Sequence, residues 1–381
     1  MIGSPAVSFQ TDETKPHFGS VAVAPIDTRE LATLEGSRLT PDEWQKILVV
    51  RSGDSTSLAM LGTYVVSSDT LRFEPQFPPI HGTAYTARFD GAALRAKVAG
   101  TAGSPRTSST VATARWMREL VTGPATTSID AVYPAVDTVP MNLLRMYVQF
   151  SAPMTVGDAA EKHVRLLDEH GAVVDKAFLV AAGGQELWDP HHTRLTIFFD
   201  PGRIKRDLTP HEAMGLPLLQ GHSYSLVIDS GMHDARGLPL TRSYVKRFRV
   251  GPMDRILPRV SAWRVVAPAA GTLEPLTVEL PEPLDHALLA RMLTVTRTVG
   301  GTETAIAGTA ASTDHDRRWT FTPSNAWTTS TYVLKIDTEL EDLAGNNMRR
   351  LFDVMPGDSA ATGENAALVR IPFTPRAKSG S

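Results

Sequence analysis

The stretch Trp319–Ile336, WTFTPSNAWTTSTYVLKI, alternates in hydropathy up to a proline, turns, and alternates again from a tyrosine. Alternation of period two puts successive side chains on opposite faces of a half-buried strand. Pro323 stops the first strand because it has no N–H to give the ladder. The frame occurs twice more, in Leu71–Phe89 (LRFEPQFPPIHGTAYTARF) and Thr196–Ile228 (TIFFDPGRIKRDLTPHEAMGLPLLQGHSYSLVI). Phe73, Pro75 and Tyr85, then Phe199, Pro201 and Tyr224, then Phe321, Pro323 and Tyr332 are its three sets of markers. A chain of 381 residues is also too long for one ordinary core, so the repeat predicts three domains.

Around these markers lie further short strand-like runs, among them RMYVQF at 145–150, VRLLD at 164–168, AFLVA at 177–181, YVKRFRV at 244–250, LTVEL at 276–280 and LTVTRT at 293–298. About seven such runs per unit, broken by Gly, Pro and Asp turns, predict an all-β chain of antiparallel sandwiches. A tyrosine opening the penultimate strand suits the corner tyrosine of such folds, whose hydroxyl bonds to nearby backbone. Breaks at VTGPATTS (121–128) and VGPMDRILP (250–258) give the expected limits: a 1–17 extension, sandwiches at 18–122, 127–252 and 256–356, and a 357–381 tail read as flexible at its start.

The second unit, with YPAVDTVPMNLLRMYVQFSAPM (133–154) and DARGLPL (234–240), resembles the bacterial Ig-like domains of S-layer and other cell-envelope proteins. The third repeats the scheme with LTVELPEPLD (276–285) and DLAGNNM (342–348), and Asp234 to Gly237 matches Asp342 to Gly345 in spacing. The first unit keeps the Phe-Pro-Tyr frame but lacks the Asp-x-x-Gly turn. The resemblance implies three tandem immunoglobulin-like sandwiches and a non-catalytic adhesion, assembly or spacer module, secreted or in the envelope, whose partner is an envelope protein or a glycan. Its motifs are fold motifs and bring no catalytic residue with them.

Composition agrees with a globular chain. Basic and acidic residues, 38 and 41, nearly cancel, which gives no general attraction to nucleic acid. No apolar run reaches the roughly 20 residues of a membrane-spanning helix. Cysteine is absent, which excludes disulfides and thiolate chemistry. The first twenty residues lack a basic segment followed by an apolar one, and Ala377–Ser381 reads as a tail, so the expected form is a mature chain from which a leader was removed.

Between Pro201 and Tyr224 the second unit carries extra residues, placed at 202–217, and within them LTPHEAMG (208–215) sets a histidine beside a glutamate. A zinc-protease helix needs a second histidine four positions on, but Gly215 stands there. His211 and Glu212 are instead expected in a short helical turn capped by Thr209, with Pro210 at its start, as in LTPDEW (39–44). Ser223 of GHSYS is expected in a strand, so the stretch is not a nucleophile elbow. Arg203, Lys205, Arg206 and His211 are the candidate partner-binding residues, a basic loop suited to an acidic group. The rival expectation is a zinc, copper or nickel site that would make the chain a metal-binding protein or hydrolase. Sandwich topology assigns its candidate ligands, His163, His191, His192, His233, Asp189 and Asp234, to the pole opposite the insertion, with Trp188 as an apolar wall.

Overall fold

The computed structural model describes residues 4–12, 15–36, 38–53, 57–77, 79–98, 110–119, 121–157, 160–179, 186–299, 302–353 and 363–377. Six sheets form three face-to-face pairs, and a common order of seven strands runs through all three units, extended by a different eighth strand in the second and the third. In the third, Arg264–Val266, Leu276–Glu279, Arg318–Pro323 and Gly308–Thr313 lie side by side as one sheet. The second sheet orders Thr302–Ala305, Leu293–Val299, Tyr332–Asp337 and Leu368–Phe373. Sequential strands thus distribute as A-B-E-D against C′-C-F-G, the immunoglobulin arrangement.

The second unit sets Leu187–Trp188, Arg194–Phe198, Arg145–Phe150 and Ile129–Tyr133 against Val164–Leu167, Ser223–Ile228, Tyr244–Gly251 and Thr138–Pro140. One pairing is parallel, Tyr244–Gly251 with Thr138–Pro140; the other named strand pairs are antiparallel. The first unit sets Ala6–Asp12, Lys15–Ala24, Thr70–Pro75 and Gly62–Ser67 against Leu48–Ser52, Ala84–Asp90 and Val111–Met117, so the divergent copy is an Ig-like sandwich too.

Two expected boundaries move. Ala6–Asp12, placed in an N-terminal extension, pairs along Lys15–Ala24 as the first strand of its sandwich. Leu368–Phe373, placed in a tail, pairs with Tyr332–Asp337 and completes the third sandwich. Of GDSAATGENAAL (357–368), residues up to 362 lie outside the described residues, as do 180 and 181 of AFLVA, where Phe178 forms an isolated bridge to Phe199.

The repeated markers have one physical job in each unit. Phe73, Phe199 and Phe321 are buried in the three cores. Each tyrosine hydroxyl accepts a backbone N–H a few residues upstream: Tyr85 from Ile80 at 2.7 Å, Tyr224 from Leu219 at 3.1 Å, Tyr332 from Thr328 at 3.1 Å. The corner tyrosine pins the E–F connection to the strand that follows it. Removing it by Tyr224→Phe keeps the ring but orphans the Leu219 N–H, with an expected loss of about 1 kcal/mol measurable by urea denaturation. A further device escaped the sequence: Gly62 faces Pro75 and Gly308 faces Pro323 across their sheets. A Cβ at either would run into the ring of Phe73 or Phe321, so glycine there lets the aromatic lie over the neighbouring backbone.

Candidate functional site

The two Asp-x-x-Gly turns are built alike. In Asp234–Gly237 the carboxylate accepts the N–H groups of Arg236 and Leu238, the Thr127 hydroxyl and the Arg236 guanidinium. In Asp342–Gly345 it accepts the N–H groups of Ala344 and Asn346 and the Asn346 side-chain amide. Gly237 and Gly345 both take φ of +81°, the left-handed region glycine occupies without a Cβ penalty. The charges nevertheless differ. Burial pushes Asp234 up, but its hydrogen bonds, chiefly from Arg236 and Thr127, outweigh this and hold it below the usual carboxylate range. Asp342 has no such arginine; burial, then the Asp254 carboxylate, push it up to about 8 against the opposing hydrogen bonds.

Each turn packs on the preceding sandwich. A Cβ at Gly237 would meet the His81 Cβ of the first sandwich at 2.6 Å and its ring at 2.9 Å, and one at Gly345 would strike Leu144 of the second. His81 lies in the E–F loop of the first unit. Its Nδ1 is 2.5 Å from the Glu119 carbonyl oxygen and its Nε2 is 3.1 Å from the Ala235 carbonyl oxygen across the joint. Because both neighbours only accept, the protonated ring satisfies both and a neutral ring only one.

The second joint is extensive. Arg145–Phe150 presents Arg145, Tyr147 and Gln149 on the outward face of its sheet, yet Tyr147 is only 5% exposed because the third sandwich covers it. The Tyr147 hydroxyl donates to Asp285 at 2.8 Å, and burial raises its pKa above the usual range. Arg145 pairs with Asp285 at 2.8 Å and with Glu341, while its guanidinium lies over the Phe198 ring. Asp285 also caps His286–Met292 through the Leu288 N–H. His286 stacks on Tyr133 with ring centroids 3.5 Å apart and contacts Asp316 through Nδ1 at 2.8 Å. Asn142 and Asp254 exchange two hydrogen bonds, and the Leu144 N–H donates to the Leu343 carbonyl.

The insertion belongs to this joint. Its helices are Pro201–Ile204 and Thr209–Met214. Arg203, 5% exposed, sends its guanidinium to the carbonyls of Asp175, Lys176, Met214, Gly215 and Leu216. Arg206 pairs with Asp353 of the third unit at 2.6 Å, and the Lys205 ammonium sits 4.4 Å from the Phe352 ring centroid. His211 Nδ1 contacts the Arg203 carbonyl at 2.6 Å. The four candidate partner-binding residues thus engage their own chain. The expected Thr209 cap is displaced: Leu208 is the N-cap and no side chain caps this helix, whereas Thr40 and Glu43 form the full capping box around Pro41–Ile47.

The histidine loops do meet at one pole, but through backbone. The His192 and His233 carbonyls accept from the adjacent N–H groups of Met154 and Thr155, and the His163 carbonyl from Asp229. Asp189 binds its own loop, accepting the N–H groups of His191, Thr193 and Arg194. Burial pushes it up, but those N–H groups, led by Arg194, outweigh that and hold it low. His192 has φ of +55°, and burial lowers its pKa. The His163 ring faces Asp229 at 3.9 Å, and Asp234 is enclosed in its turn. Among the described residues, no three His, Asp or Glu side chains are gathered so as to hold a metal ion. No helix among them is long and apolar enough to cross a membrane.

Residues 254–354 match the family described as bacterial Ig-like domain, a span ending before the last strand of the third sandwich. None of the curated proteins compared with the chain matches it. Among solved structures it is similar to the N-terminal four Ig domains of Dscam1 isoform 6.9, at 11% identity over 87% of this chain and 69% of that one, TM-score 0.17. It is similar also to the Escherichia coli alpha-2-macroglobulin fragment spanning domains MG0-NIE-MG1, at 11% identity over 88% and 93%, TM-score 0.24. A three-Ig I-band fragment of titin shares 8% identity over the full length of both chains, TM-score 0.18. The strand order common to the three units defines the fold.

Proposed function

We propose that the chain is a non-catalytic module of a secreted or cell-envelope protein, in which the second and third sandwiches form one rigid block that carries the first on a narrower joint. The observation carrying this reading is the second joint, where Arg145, Tyr147, Asp285, Lys205 and Arg206 hold two domains together. Charged groups that in an enzyme would face substrate here face a neighbouring sandwich. The match of 254–354 to bacterial Ig-like domains supports the envelope assignment. Adhesion or assembly suits a block that fixes the position of a head domain.

The chain has no cysteine, so paired cysteines can be introduced and spin-labelled without background. Arg247→Cys with Thr309→Cys spans the second joint, and Ala96→Cys with Arg247→Cys spans the first. Pulsed electron–electron resonance is expected to give a narrow distance distribution for the former pair and a broader one for the latter. Broad distributions across the second joint would overturn the rigid block.

A further inference from the structure

On the outward face of the sheet Leu48–Ser52, Ala84–Asp90 and Val111–Met117 in the first sandwich, Val49 is buried, whereas Arg88, Thr113 and Arg115 are exposed. Strand register arranges this face in rows. Arg51 pairs with Thr86 and Thr86 with Arg115; beside that row, Val49 pairs with Arg88 and Arg88 with Thr113. Three arginines therefore surround Thr86. Arg51 and Arg115 are two strands apart, a backbone separation of roughly 10 Å. The helix Pro41–Ile47 walls one side and leaves a groove of about 670 Å³ lined by Gln45, Lys46, Arg51, Thr86, Arg88 and Thr113.

Three cations, Lys46, Arg51 and Arg88, line this groove, and Arg115 lies beside it opposite Thr86. Arg51 also donates to the Ser57 carbonyl. The one carboxylate in the lining, Asp90, is already engaged. It caps Gly91–Val98 through the Ala92 and Ala93 N–H groups and pairs with Arg88 at 2.9 Å. On the neighbouring helix Glu43 is tied to Lys97. The corresponding face of the third sandwich lacks this excess, since Glu303 there pairs with both Lys335 and Arg370.

We propose that this groove binds a segment of anionic polysaccharide, with sugar carboxylates on the arginines and sugar hydroxyls on Thr86, Thr113 and Gln45. Guanidinium groups recognise carboxylates through paired N–H donors, and the hydroxyl and amide groups between them suit a ligand that alternates charge with hydroxyls. Single-stranded nucleic acid fits less well: the outward residues Val49, Arg51, Thr86, Arg88, Val111, Thr113, Arg115 and Met117 include no aromatic on which a base could stack. The inference is independent of how rigid the second joint is.

The test is titration calorimetry of the full chain with a polygalacturonate oligomer, neutral dextran, a dT20 oligonucleotide and poly-glutamate. Salt-sensitive binding of polygalacturonate, absent for dextran and weakened at least tenfold in Arg88→Ser/Arg115→Ser at unchanged unfolding midpoint, is the expected result. Arg264→Ser/Arg318→Ser, which removes two cations from the third sandwich, is expected to bind as wild type. The site is overturned if wild type does not bind polygalacturonate or if the groove variant binds it equally well. Tighter binding of dT20 or poly-glutamate overturns the choice of polysaccharide.

Discussion

Replacing Asp285 by alanine is expected to destabilise the block of second and third sandwiches by about 3–5 kcal/mol, the range found when one partner of a buried ion pair is removed. Asp285 is 3% exposed and ends three interactions on one carboxylate: the Arg145 guanidinium, the Tyr147 hydroxyl and the Leu288 N–H. Alanine leaves Arg145 with Glu341 alone, strands a buried phenol, and uncaps His286–Met292, the cap by itself contributing about 1 kcal/mol. Asp285→Asn separates the effects, since an amide oxygen can still cap the helix and accept from Tyr147 but carries no charge. Its loss is expected to fall between wild type and alanine. Because a three-domain chain need not unfold in one step, the readout is guanidinium denaturation followed by both tryptophan fluorescence and far-ultraviolet circular dichroism. Wild-type midpoints for Asp285→Ala would show that the network does not hold the joint.

The fold was legible because its signals are local. Alternation, a stopping proline and a corner tyrosine are each written within about twenty residues, and they repeated three times. The outermost strands were missed for the complementary reason. Ala6–Asp12 and Leu368–Phe373 lie beyond the repeated frame, and an edge strand that pairs on one side carries little hydropathy pattern of its own. The topological sorting did bring the histidine loops to one pole, but it could not foresee how their polar atoms are used. Asp189 and Asp234 hold their own loops, whose geometry depends on φ and on backbone N–H direction. Arg145, Asp285 and His81 were invisible because their partners lie in other domains. One signal did exist: the Asp-x-x-Gly turn recurs with the same spacing in the second and third units, and in both it packs on the sandwich before it.

Arg203→Met should lower stability by about 3 kcal/mol and open the insertion, although a basic residue in a loop would ordinarily be replaceable at little cost. The stretch GRIKR looks like a solvated charge cluster, but the position following Pro201 and Gly202 turns Arg203 inward, where it is 5% exposed. Its planar fork meets five carbonyl oxygens from two loops that have no regular ladder to satisfy them. Methionine fills a similar volume and donates nothing, so those acceptors lose partners whose hydrogen bonds, being charge-assisted, contribute about 1.5–3 kcal/mol each before water replaces some of them. Lysine keeps the charge but, as a compact ammonium, cannot reach both loops at once, so Arg203→Lys is expected to recover only part of the loss. Loosening here should propagate, because Lys205 and Arg206 on the next turn reach Phe352 and Asp353 of the third sandwich. The measurement is limited proteolysis within 204–217 alongside urea denaturation: faster cleavage and a lower midpoint for the methionine variant, with lysine between it and wild type. Cleavage at the wild-type rate would mean that the five carbonyls are held without the arginine and that the insertion keeps its shape by packing alone.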